Sequence, residues 1–166
     1  MDLFRTEVSD TYHTTSPIVV GASVVGVKYA DGILMCTDTL ASYGSLARYK
    51  TLPRMASIGN STLLGASGEY SDFQELVRLL RVKETEDFIE HDGLHLTPAH
   101  IASYTAFLMY QKRNKMNPLS NSVLVAGFVN CSSYLASVDL FGTHVMGEHL
   151  ETGFASRIGK PIVESG

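Results

Sequence analysis

Cysteine is nearly absent: the 166 residues hold only Cys36 and Cys131, far apart and without a CxxC spacing. That scarcity excludes a disulfide-stapled scaffold and points to a reducing compartment. Cys36 lies in the apolar stretch "GILMCT" and reads as a small buried thiol. Basic charge is short as well. Thirteen Lys and Arg stand against 17 Asp and Glu, a net charge of −4, and no dense basic block occurs, so nucleic acid is not expected as a partner. No apolar run approaches the roughly 20 residues of a membrane span. The opening "MDLFRTEVSDTYH" lacks the apolar centre of a secretory signal. No membrane partner is expected.

Metal and phosphate chemistry are poorly provided for. His91 and His95 are four apart, but Gly93 breaks the helix that would align them; His144 and His149 are five apart and face differently on a strand. Met109 and Met116 read as packing residues, and "GASGEY" lacks both the spacing and the lysine of a phosphate-cradling loop. No cofactor is expected.

What is present is a patterned chain of one-domain length, with 45% hydrophobic and 18% charged residues. Residues 1–17 are polar and read as a leader or arm. Ser23–Tyr29 and Ile33–Thr37 are β-branched and apolar, joined by "ADG", a hairpin signal. Met55–Ile58 and Thr62–Ala66 form a second pair around Gly59-Asn60. The period then changes. Ser71 with Gln74 suggests a capping box, and Phe73, Leu76, Val77 and Leu80 recur at helical spacing, predicting a helix over Ser71–Lys83. "RVKETEDFIEHD" mixes both charge signs and reads as a solvated helix face and exit. Thr97-Pro98 is an N-cap followed by proline, opening a second helix that ends near Asn114, with Ile101, Tyr104, Thr105 and Leu108 facing inward. Strands resume at Ser122–Val129, Tyr134–Val138 and about Thr143–Met146. Antiparallel hairpins around a helix pair predict an α+β fold, sheet packed on sheet with helices outside.

Four stretches in order, "GASVVGVKYADGILMCTDTLASYGSLARYK", "LLGASGEYSDFQ", "MYQKRNKMNPL" and "ETGF", resemble the β-type subunits of the 20S proteasome, of the N-terminal-nucleophile hydrolase class. They look most like its seventh, non-catalytic β subunit, and the likeness runs from about Thr14 to Phe154. The resemblance implies an αββα four-layer fold and, in active members, a threonine directly after the glycine. That residue's hydroxyl attacks the peptide and its own amine is the base. Here Ala22 takes the threonine's place. Asp38, sixteen residues on, matches the carboxylate; Arg54, thirty-two residues on, stands where a lysine belongs; Gly68 matches the oxyanion glycine. Taken singly, Asp38 also reads as a strand-end cap and Gly68 as a turn glycine. Together with Ala22 and Arg54 they form a vestigial site with no working catalyst.

By the same resemblance, residues 1–13 are a leader, residues 14–166 a β-type domain, and a neighbouring subunit cuts between His13 and Thr14. The expected partners are β subunits at the first and sixth positions of one ring, subunits of the opposite β ring and α-ring subunits, in the cytoplasm and nucleus. Family members continue past "ETGF" with further helices, strands and a tail, whereas this sequence reads "ASRIGKPIVESG". A fold incomplete at the C-terminus, and marginal alone, is the expectation. Two other functions stay open: an active threonine-type endopeptidase, with Thr14 or Thr15 as a displaced nucleophile, and a freestanding binding module on the same fold.

Overall fold

A computed structural model describes residues 16–90 and 95–158. Eleven strands and three helices follow in order among them: β1 (Val19–Gly21), β2 (Ser23–Tyr29), β3 (Gly32–Thr37), β4 (Ala41–Tyr43), β5 (Leu46–Tyr49), β6 (Met55–Ile58), β7 (Thr62–Glu69), α1 (Tyr70–Glu90), α2 (Pro98–Asn114), β8 (Asn121–Val129), β9 (Ser132–Val138), β10 (His144–Met146), β11 (His149–Gly153) and α3 (Ala155–Ile158). The expected α+β class is what the chain adopts. Eight strands make one antiparallel sheet, ordered β10-β9-β8-β7-β1-β4-β5 with β6 also on β7; β11-β2-β3 make a second.

Two apolar clusters hold the layers. Phe73, Leu76, Val77 and Leu80 of α1, with Ile101, Leu108 and Met109 of α2, bury against Leu64, Val123, Val125 and Val138 of the large sheet. The helical spacing expected from sequence is therefore the packed stripe, although Tyr104 is only half-buried. Between the sheets, Val24 and Met35 meet Leu124, Ala126 and Leu135. Close sheet contact needs small residues: a Cβ at Gly65 would lie 2.7 Å from the Met35 sulfur.

Several boundaries differ from the sequence reading. Helix α1 starts at Tyr70, so Ser71 lies inside it rather than capping it, and its hydroxyl donates to Glu69 Oε1 at 3.1 Å. The helix also runs seven residues past Lys83, to Glu90, through the mixed-charge stretch. There a Lys83–Glu86 pair at 3.3 Å and the Thr85 hydroxyl on the Arg81 carbonyl at 2.9 Å suit helical spacing. Thr97 caps α2 as expected, but its reciprocal partner is His100, whose Nδ1 accepts the Thr97 N–H at 3.3 Å. Cys36 is exposed, not buried: β3 alternates, and Met35 takes the inner face while Leu34 and Cys36 face outward. His91 and Gly93 fall outside the described residues.

The inter-sheet cluster predicts a sharp contrast. Leu124 is fully buried and touches the position a Gly26 Cβ would occupy at 3.4 Å, whereas Leu34 is 60% exposed. Leu124→Ala is expected to lower the unfolding free energy by about 3 kcal/mol and Leu34→Ala by less than about 0.5 kcal/mol, read from urea unfolding of each variant.

Candidate functional site

The chain crosses from the large sheet to the small one through a single residue. Gly21 ends β1, Ala22 is the joint, and Ser23 opens β2. Ala22 is exposed on a cleft of about 490 Å³ whose lining includes Gly21, Ser67, Gly68, Asn121 and Phe154. Its carbonyl accepts the Phe154 N–H at 3.3 Å. That contact depends on Gly153, at φ +67°, where a Cβ would stand 1.8 Å from the same oxygen. Gly68 flanks the joint from β7, paired with Gly21 on one side and Asn121 on the other. Its φ is +104°, and a Cβ there would meet the Ser120 carbonyl at 2.0 Å, so only glycine fits.

Beneath Gly21 lies the guanidinium of Arg54, 2% exposed. Along one edge of β7, β1 pairs with Gly68 and Glu69 while β6 pairs with Thr62 to Gly65. Arg54 sits where the two meet, its carbonyl accepting the Ala66 N–H at 3.2 Å. Its side chain then gathers the surrounding strands. Nε donates to the Asp38 carbonyl at 3.0 Å, Nη1 to the Ala66 carbonyl at 3.2 Å and Nη2 to the Ser23 carbonyl at 2.7 Å. Nη2 also pairs with Asp38 Oδ1, and that oxygen accepts the Ser23 N–H at 3.0 Å. Burial pulls the guanidinium pKa below its ordinary value, and the Asp38 charge and hydrogen bond push it back up. A Cβ on Gly21 would overlap the Arg54 side chain, 2.1 Å from Nη1.

The four positions singled out from sequence thus meet: Asp38 and Arg54 in direct contact, Ala22 and Gly68 on one cleft, with Gly21 between them. His13 and Thr14 lie outside the described residues. Sequence reasoning missed the Ser23 and Ala66 carbonyls, the Gly153–Ala22 contact and Asn121, whose Nδ2 donates to the Ser67 and Glu69 carbonyls at 3.2 and 2.8 Å. Most of these act through backbone atoms, which no residue type announces; only the positive-φ glycines carried a hint.

Chemically, the joint offers only a methyl group to the cleft. No histidine, lysine or carboxylate is among the described lining residues of the cleft. Arg54, which lies against Gly21 beside the joint, is a guanidinium committed to three carbonyls and a carboxylate and does not release protons at working pH. No group of three or more metal-ligating side chains occurs among the described residues, nor is any described helix long and apolar enough to cross a membrane.

The family described as "Proteasome subunit" matches residues 18–166. The chain is 41% identical over 162 residues to proteasome subunit beta type-4 of Arabidopsis thaliana, covering 98% of this chain and 66% of that protein. Against the Dictyostelium discoideum beta type-4 subunit the identity is 43% over 150 residues, 90% of this chain and 58% of the relative. For the Saccharomyces cerevisiae beta type-7 subunit it is 38% over 160 residues, 93% and 60%. The chain therefore spans about three fifths to two thirds of the length of these relatives.

Removing the guanidinium strands a carboxylate and three carbonyls at the sheet junction. Arg54→Ala is expected to cost about 3–5 kcal/mol of stability. Arg54→Lys should fall between, since one ammonium cannot reach four acceptors in the guanidinium's plane. Arg78→Ala, which breaks the exposed pair with Glu75 at 2.8 Å, should cost under about 1 kcal/mol. Chemical denaturation of the three variants checks the order.

Proposed function

The chain belongs to the proteasome subunit family as a β-type member, and from that premise we propose that it is a non-catalytic, structural β subunit of the 20S core particle. In this reading it contributes wall and contact surface to the ring in which proteins are degraded. Its neighbours are β subunits at the first and sixth positions, subunits of the opposite β ring and α-ring subunits, and it works in the cytoplasm and nucleus. The single observation that carries the reading is the joint itself. Ala22 has no oxygen with which to attack a carbonyl, and Arg54, in the lysine's place, is tied down by Asp38, Ser23 and Ala66. Asp38 and Gly68 are, on this view, remnants that serve the backbone rather than a reaction.

Processing follows from the same residues. Self-cleavage at Gly21–Ala22 needs the hydroxyl that Ala22 lacks. Gly21 is moreover the paired end of β1, bonded to β4 on one edge and β7 on the other. We therefore place the cut upstream, between His13 and Thr14, made by a neighbouring subunit, leaving residues 1–13 as the leader.

Two outcomes are expected. The chain, free or in its particle with the active subunits inhibited, hydrolyses no fluorogenic peptide, and Ala22→Thr alone does not change this because Arg54 remains. Turnover from that single variant, blocked by a threonine-directed inhibitor, would sink the proposal. The subunit taken from the assembled particle is expected to weigh what residues starting at Thr14 weigh; a chain starting at Ala22 would contradict both the processing and the inertness. Native mass is the wider check, since a chain that runs alone rather than in a particle is a binding module instead.

A further inference from the structure

The stretch just before the Gly21–Ala22 joint is fixed by a residue that neither the vestigial site nor the ring role employs. Strand β1 is three residues long, far below what holds a strand by its own ladder, yet it is paired on both edges. Its entry is held by Glu69. Oε2 of that carboxylate accepts the backbone N–H of Ile18 and, at 3.0 Å, that of Val19, while Oε1 accepts the Ser71 hydroxyl at 3.1 Å. Glu69 is itself anchored: its N–H donates to the Ser120 carbonyl at 3.0 Å and its carbonyl accepts from Asn121 Nδ2 at 2.8 Å. The side chain is buried, and among the described residues no lysine or arginine pairs with it. The carboxylate is met by the Ile18 and Val19 N–H groups and the Ser71 hydroxyl, and it stands just before the N-terminus of α1, the end of a helix that favours an anion.

We propose that Glu69 is a latch that sets how far the N-terminal segment can be trimmed: proteolysis advancing along the chain stops before Val19. A protease takes its substrate as a single extended strand, with several residues free on either side of the bond it cuts. Residues paired on both edges, with their amides seated on a carboxylate, must first detach, and cleavage then follows the population of the detached form. Ser16, Pro17 and Ile18 are exposed, whereas from Val19 the chain is both held at its amide and paired into the sheet, so the limit falls there. Glu69 acts here as a positioning residue, and the inference does not depend on which upstream bond is cut in the cell or on whether the subunit is inert.

The test digests the full chain with proteinase K at increasing times and reads the N-terminal end points by intact mass, with hydrogen exchange followed in parallel. The unsubstituted chain should accumulate end points no later than Val19. In Glu69→Ala, end points should move into residues 20–22 at least tenfold faster, and the amides of residues 18–21 should exchange at least tenfold faster, while β8 and β9 keep their protection. Unmoved end points in a variant with intact β8 and β9 protection would overturn the proposal, as would rapid trimming of the unsubstituted chain to Ala22. If Glu69→Ala loses protection throughout, Ile18→Pro decides. It deletes one of the two amide donors at a side chain already 43% exposed, and the same shift is expected; no shift would count against the latch.

Discussion

An arginine side chain withdrawn from water is the constraint on which the junction of the two sheets depends. A buried guanidinium is costly unless its N–H groups and its charge are both met. Here Arg54 finds three carbonyls and one carboxylate, and each partner belongs to a different part of the junction: Asp38 just after β3, Ser23 at the start of β2, Ala66 in β7. Satisfying the cation therefore fixes where the small sheet begins relative to the large one. The need reaches outward as well. Gly21 must be glycine because the arginine lies against it, and Asp38 must stay close because it serves both the cation and the Ser23 amide.

The same arrangement separates holding from reacting. A nucleophile-and-base site needs a group that can give up and regain a proton near neutral pH, on a side chain free to follow the substrate. A lysine has one ammonium whose pKa moves readily with its surroundings; an arginine spreads its charge over a fork that matches several acceptors at once. In the Arg54 position the fork meets four acceptors, which strengthens the junction and leaves the guanidinium no part as a proton carrier. A methyl group at the joint beside a committed guanidinium is what the proposal of a structural subunit draws on.

The sequence was most legible where one physical signal dominated. Helix α2, Pro98–Asn114, starts where it was expected and ends near the expected residue, because a capping threonine, an N-terminal proline and a buried stripe agreed. Strands β2 and β6 were equally clear, being β-branched or apolar runs beside turn residues. Legibility failed where partners lie far off in the chain. Strands β1, β4, β5 and β11 are three to five residues long and owe their state to ladders with distant strands, so no local pattern marks them. Helix α1 overran its expected end because mixed charges at three-residue spacing support a helix as readily as they mark its exit. Cys36 was misplaced by composition: an apolar run says strand, but only the register with β2 says which face each residue takes. At the site, the residue positions were readable through their shared spacing, whereas the bonds that unite them run mostly to backbone carbonyls.

That last point bears on how β1 and the Gly21–Ala22 joint depend on each other. A chain cut after Gly21 would free the end of a three-residue strand, leaving its ladders with β4 and β7 and its anchor at Glu69 to hold it without continuity into β2. Gly21 would then be held over the arginine by those ladders alone, and the Ser23 carbonyl and amide, now beside a new chain end, would lose part of their positioning toward Arg54 and Asp38. A junction built on an arginine thus favours an unbroken backbone through Ala22, and an alanine at that position supplies no means of breaking it. Within the proposed role, the absent hydroxyl and the buried guanidinium are two consequences of one requirement, that this crossing between the sheets stay whole.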